Sequence, residues 1–90
     1  MEQPKFPLGQ VVITPAAKSA VADREVRIAL DRHVAGDWGD LCAADQAENE
    51  LSLKEGFRLF SSYRASDGTK FWIITEADRS VTTILLPDDY

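Results

Sequence analysis

Residues 70–87 read KFWIITEADRSVTTILLP, with Phe71, Trp72, Ile73 and Ile74 in an unbroken row. Successive side chains of an extended strand point to opposite faces, so this run makes a strand that is apolar on both sides. Such a strand belongs in the middle of a sheet, with something to cover each face. Turn signals bound it. SDGT, residues 66–69, carries the Asp-Gly pair that supplies positive φ in tight hairpins, and ADRS, residues 77–80, leads into VTTILL. With FRLFSSYRA ahead of it, the segment predicts a three-stranded antiparallel meander centred on residues 70–76.

Upstream of residue 57 the period is helical. QVVIT, residues 10–14, reads as a short strand that runs into Thr14-Pro15, a hydroxyl able to cap followed by proline at the first helical position. PAAKSAVA supplies about two turns, with Ala17, Ala20 and Val21 on one side. Asp23 is placed to cap REVRIALDRHV, where Val26, Ala29, Leu30, His33 and Val34 recur at helical spacing and Gly36 suits the stop. GDWGDL is a loop by its glycines and aspartates. AADQAENELSLKEG then predicts a third helix with a thin stripe of Ala44, Ala47 and Leu51 and Gly56 as terminator. Its acids, Asp45, Glu48 and Glu50, gather toward the positive end of the helix dipole. The expectation is an α+β fold in the order β-α-α-α-β-β-β, two or three short helices packed on the meander. It forms one domain over residues 1–90, with residues 1–9 as an extended lead-in rich in proline.

A chain of 90 residues has room for one core. The single cysteine, Cys42, excludes an internal disulfide and a cysteine-rich zinc framework. No basic-then-apolar leader and no long apolar run is present, so neither a signal peptide nor a membrane span is expected, and the cytoplasm is the expected compartment. Net charge is −5, and residues 1–56 hold most of it, with six Lys/Arg against ten Asp/Glu. Direct nucleic-acid binding is disfavoured by that sign, whereas an acidic surface suits docking on a basic partner.

If both turns have even loop lengths, Trp72 faces Tyr63 and Leu85, with Leu59, Ile74 and Val81 on the same side. The other side then collects Phe60, Phe71, Ile73, Ile84 and Leu86. Three short helices cover one side of a small sheet, which leaves the second for the lead-in (through Phe6 and Leu8), for the first strand and the 37–42 loop, or for another chain. An uncovered patch of several hundred Å2 commonly marks an interaction site, so these five residues are the expected docking surface for a protein partner or a second copy. Arg79, a guanidinium on a rigid hairpin tip, is added to that surface because its planar fork suits a carboxylate or phosphate.

The densest set of potential ligands is HVAGDWGDLC, which offers His33, Asp37, Asp40 and Cys42, with Asp45 close behind. One histidine and one cysteine make a thin ligand set, and the loop lacks the alternating acids of a calcium hand, so no metal centre is expected. Cys42 with His33 as its base is weaker still as a nucleophilic pair. No phosphate-binding glycine loop, nucleophile triad or paired acids stand out. No catalytic residue and no cofactor are assigned.

The segments FPLGQVVITP, HVAGDWGDL, GFRLFSSY and DGTKFWIITEADRSVTTILLPDDY carry a resemblance to a family of small bacterial plasmid-related proteins. It spans nearly the whole chain and is strongest in WIITEADRSVTTILLP. That family has no established activity, so the resemblance implies a bacterial, mobile-element setting and no chemistry. Cys42 departs from it, standing where a better helix cap is usual. The expected function is a non-catalytic protein-interaction module associated with mobile elements. The alternative is a ribonuclease of the RelE/ParE-like toxin class, which the strand–helices–meander order and VVITPAAKSAV resemble. The resemblance would turn attention to Arg58, Arg64, Lys70, Arg79 and Tyr90, against the unfavourable charge.

Overall fold

The computed structural model describes residues 4–90, so the first three residues of the expected lead-in lie outside the described residues. Strand β1 is Gln10–Ile13, followed by helices α1 (Pro15–Ala20), α2 (Asp23–Val34) and α3 (Ala43–Glu55). The meander is β2 (Leu59–Arg64), β3 (Lys70–Thr75) and β4 (Val81–Leu85), and a 3-10 turn, Pro87–Asp89, closes the chain. The order is the expected β-α-α-α-β-β-β. The first strand adds itself to the meander as a fourth, parallel to β4, giving a mixed sheet ordered β1-β4-β3-β2.

Local chemistry sets most boundaries. Thr14 caps α1 through its hydroxyl, which accepts from the Ala17 N–H at 3.2 Å, and Pro15 opens the helix. α2 begins one residue earlier than expected, with Ala22 in the cap position and Asp23 inside the first turn. Gly56, at φ 79°, terminates α3 in the left-handed conformation that glycine adopts without Cβ strain.

The β2–β3 register corrects the pairing expected from even loops. Gly68 N–H donates to the Ala65 carbonyl and Ala65 N–H to the Thr69 carbonyl, so the connection has three residues, Ser66, Asp67 and Gly68. This is a turn completed by glycine at φ 92°, a common three-residue hairpin, instead of a two-residue Asp-Gly loop. The odd count shifts β2 by one residue and exchanges its two faces. Ser62, not Tyr63, lies opposite Trp72, while Tyr63 pairs with Phe71 and Leu59 with Thr75. The 77–80 turn keeps an even length, and Trp72 pairs with Leu85 as expected.

The inner face, under α1 and α2, therefore carries Tyr63, Phe71, Ile73 and Ile84, packed with Ala17, Val21, Val26 and Ala29. Each such side chain taken fully from water contributes roughly 1.5–3 kcal/mol. A second cluster of Phe6, Trp38 and Leu59 extends the core toward α3, joined by Leu8, Val34, Leu41 and Leu53. Through Phe6 and Leu8 the described part of the lead-in thus completes the helical side of the sheet. The outer face has its own cover. The C-terminal turn folds back over β3, where Tyr90 meets Trp72 edge-on at 5.9 Å between ring centroids. Thr14 and the Leu86 N–H both donate to the Asp89 carboxylate and hold that turn in place.

α3 departs from its expected stripe. Ala44, Ala47 and Leu51 are exposed, and the buried residues are Asn49 and Ser52. The reason is the edge of β2. The Asn49 amide donates to the Phe60 carbonyl at 2.6 Å and accepts from the Phe60 N–H at 3.1 Å, closing two backbone groups that a strand edge would leave open. Gly39 forms a parallel bridge to Ser62, whose N–H and carbonyl bond to Trp38 O and Asp40 N, so the same edge is closed a second time. A Cβ on Gly39 would lie 2.1 Å from the Ser62 carbonyl oxygen, so only glycine permits this approach. Replacing Asn49 by Leu, a gain in hydrophobicity, is expected to cost about 2 kcal/mol because the Phe60 amide and carbonyl lose their partner. Replacing the exposed Leu51 by Asn is expected to change stability by less than about 0.5 kcal/mol. Urea unfolding of the two variants checks the contrast.

Candidate functional site

His33 sits at the centre of the inner layer, fully buried, with both ring nitrogens in use. Nδ1 lies 2.5 Å from Ser61 Oγ and Nε2 lies 2.9 Å from Thr75 Oγ1. Thr75 Oγ1 is 2.7 Å from Thr82 Oγ1, and Thr82 donates to the Leu8 carbonyl at 2.7 Å. That carbonyl can only accept, which orients the whole chain. Thr82 receives from Thr75, Thr75 receives from the His33 Nε2–H, and Nδ1 accepts the Ser61 hydroxyl. The ring is neutral in this arrangement, and burial holds its pKa down to about 4. Phe6 and Trp38 close on it edge-first. These contacts make His33 part of the core and leave it no lone pair for a metal or a thiol.

The other members of the ligand-rich loop point elsewhere. Asp37 accepts two bonds from the Arg32 guanidinium, which hold its carboxyl below the usual range. Asp40 lies 3.9 Å from Arg64, and Cys42 is exposed at the start of α3 without capping it. Among the described residues, no three His, Cys, Asp or Glu side chains converge as a metal site would require. Among the described residues, no helix is long and apolar enough to cross a membrane.

The six residues expected to form one docking surface are not brought together. Phe71, Ile73 and Ile84 are buried under the helices, on the face to which the three-residue hairpin brings Leu59, Ser61 and Tyr63 in place of Phe60. Leu86 packs against the same cluster. Phe60 alone lies on the outer face. Arg79, expected to present its guanidinium outward, is folded back against the chain. Its Nη1 donates to the carbonyls of Phe57 (2.6 Å), Ala77 (3.1 Å) and Glu76 (3.2 Å), and its Nη2 to that of Ser52 (2.9 Å). It ties the β3–β4 turn to the C-terminal end of α3, where a cation is favoured by the dipole. Its own backbone sits at φ 61°, a conformation that costs a non-glycine residue energy.

What the outer face offers instead is a cleft of about 430 Å3 between α3 and the C-terminal turn. Phe60, Trp72 and Ile74 form its floor, with Phe60 and Trp72 meeting edge-on at 4.9 Å. Tyr90 and Arg58 form one wall. Arg58 Nη1 donates to the Tyr90 hydroxyl at 3.1 Å, and Arg58 Nε lies 3.4 Å from Glu76. The opposite wall is α3, which contributes Asp45, Glu48, Asn49 and Ser52. With Arg58 already matched by Glu76, the two carboxylates of Asp45 and Glu48 stand without an ion-pair partner among the described residues. The arrangement is an aromatic, half-exposed floor beneath a negative wall. A positively charged group on an aliphatic stem fits both parts, its charge to the carboxylates and its methylenes to the rings.

Reading the chain by periodicity misses most of this site. Trp72 and Ile74 are assigned to the wrong companions once the register slips, and the C-terminal turn follows proline and is too short to carry a period. One signal was available. A polar residue in the middle of a helix with only a thin apolar stripe, Asn49, points to a backbone it must satisfy. Comparison of the chain with protein-family models, with curated proteins and with solved structures finds no match.

Proposed function

We propose that the protein is a cytoplasmic, non-catalytic protein-interaction module that receives a basic segment of its partner in the outer-face cleft. The single observation behind this reading is the pairing of an aromatic floor, Phe60 and Trp72, with the unpaired carboxylates of Asp45 and Glu48. A lysine or arginine of the partner lies over the rings with its charge at the α3 wall, and the net charge of −5 favours the approach of a basic surface. The resemblance to plasmid-related proteins adds a role in the maintenance of a mobile element to the same reading.

The ribonuclease alternative finds one supporting contact, the meeting of Arg58 with Tyr90 in the cleft. Two acids facing them across the cleft work against holding a phosphodiester. Arg79 is committed to backbone carbonyls, and Arg64 and Lys70 stand opposite one another across β2 and β3 at the far end of the meander, with Arg64 3.9 Å from Asp40.

Titration of the labelled protein with a short lysine- and arginine-rich peptide is expected to shift the indole N–H signal of Trp72. A glutamate-rich peptide of the same length is expected to leave it in place. The double substitution Asp45→Asn with Glu48→Gln should weaken the basic peptide by about fivefold or more, the equivalent of about 1 kcal/mol. Unchanged spectra at millimolar basic peptide would remove the reading. Growth arrest on expression, with cleaved transcripts and relief by Arg58→Ala, would replace it with the ribonuclease.

A further inference from the structure

The two edges of the sheet are treated differently. β2 is closed by the Asn49 amide on Phe60 and by the 38–40 segment on Ser62. β1, at the opposite end of the sheet, has no such cover among the described residues. Gln10 N–H and Thr14 N–H donate to Ser80 and Ile84 of the β4 side, so in the alternation of a parallel ladder the Val12 peptide group also turns that way. The peptide groups of Val11 and Ile13 consequently point away from the sheet. Among the described residues, no turn, loop or side chain bonds to them. Val11 and Val12 are 45% and 37% exposed, an apolar free edge of the kind that chains ordinarily blunt with charge, proline or a cover.

The geometry points to a second copy of this chain as the occupant of that edge, paired antiparallel through β1 about a two-fold axis at Val12. In this register Val11 of one copy lies opposite Ile13 of the other. Both have their peptide groups facing outward, so each of the two equivalent pairs exchanges two hydrogen bonds and the strand junction makes four. Val12 meets its own counterpart on the outer face, as a closely spaced non-hydrogen-bonded pair. The ladder stops where the chain stops it, at Gly9 with φ 65° on one side and at Pro15, which has no N–H, on the other. The two four-stranded sheets become one of eight strands.

The flank of the edge argues for the same chain over an unrelated one. A groove of about 300 Å3 runs between β1 and α2, with Val11, Ile13, Val26 and Leu30 among its apolar lining. Its rim carries both signs of charge, Lys18, Asp23 and Arg27, of which only Lys18 and Asp23 pair within the chain, at 3.7 Å. A rim carrying both signs permits acid–base contacts between two copies, which a rim of one sign would forbid. A uniformly basic or acidic partner would meet at least one like charge there. The isologous contact also closes on itself, so the open edge is used up and no fibre grows.

This interface stands at the other end of the sheet from the outer-face cleft and does not rest on the proposed function. The expected result of sedimentation or light scattering is a mass of about 20 kDa, twice the 10.0 kDa of one chain, at concentrations up to about 1 mM. Val12→Lys places two ammonium groups at the axis and is expected to raise the dissociation constant at least about thirtyfold, leaving the unfolding midpoint of the monomer unchanged. Val11→Pro removes a donor that only the second copy uses. It should give the same monomer, because edge strands accept proline where the N–H faces outward. Trp72→Ala should leave the mass unaltered. Val11 and Ile13 amide protons should exchange more slowly at high than at low chain concentration. A single-chain mass at about 1 mM, or a dimer that survives both Val12→Lys and Val11→Pro, overturns the inference.

Discussion

Lowering the pH from neutrality to about 4 is expected to remove about 3 kcal/mol of folding stability through His33 alone. In the unfolded chain the imidazole titrates near its ordinary 6.5, whereas in the fold burial holds it to about 4. Between those values the unfolded chain binds a proton that the folded chain refuses. Stability is therefore complete above 6.5, falls as pH drops through the interval, and levels off once the folded ring also protonates near 4. A depression of about 2.5 pH units at 1.36 kcal/mol each gives the magnitude. Asp37, Asp67, Asp78 and Asp89, all held below their ordinary pKa by hydrogen bonds, act in the same direction but only at lower pH. The two windows separate in urea titrations run at closely spaced pH values. His33→Phe is the control. It should be less stable at pH 7, because Ser61 and Thr75 lose their ring partner, yet flat between 6.5 and 4. A wild-type protein equally stable across that interval would show that His33 is not held neutral.

Arg79→Ala is expected to cost about 3 kcal/mol, a value in keeping with loss of charge-assisted bonds from a partly exposed guanidinium to several backbone carbonyls. Those carbonyls belong to the last turn of α3, to Phe57 and to the hairpin itself, so the loss detaches the turn from the helix. The backbone at φ 61° adds a second expectation. Arg79→Gly should be about 1 kcal/mol less harmful than Arg79→Ala, since glycine takes that conformation freely. Arg79→Lys should fall short of the wild type because one ammonium cannot reach carbonyls on three sides as the fork does. Chemical unfolding of the three variants gives the order. If Arg79→Ala were as stable as the wild type and instead impaired capture of a partner, the residue would be a recognition group after all.

The contrast between these residues and the expected docking surface is instructive. Arg79 looks like a recognition residue when read along the hairpin, because nothing local tells that α3 ends within reach of its side chain. His33 looks like a ligand or a base, because its partners, Ser61 and Thr75, come from two strands far away in the chain, with Thr82 of a third continuing the network. Phe71, Ile73 and Ile84 look like an exposed face for a simpler reason. One residue more in a turn reverses which side of β2 joins which side of β3, and Asp-Gly is compatible with two-residue and three-residue connections alike.

From its residues alone, this chain settles the things that depend on near neighbours. The alternation of FWII makes a central strand, the Thr14-Pro15 step opens α1, Gly56 ends α3, and the β3–β4 turn has the parity its residues suggest. Tertiary structure alone decides what depends on distant backbone. It sets the parallel docking of β1 on β4 and the inward turn of the Phe71 face. It turns Asn49 toward a strand edge in place of Leu51, and it folds Tyr90 back over Trp72 to make a cleft. The division follows from range: hydrogen-bond satisfaction of a sheet edge and the sharing of a face are satisfied by groups that periodicity within one segment cannot see.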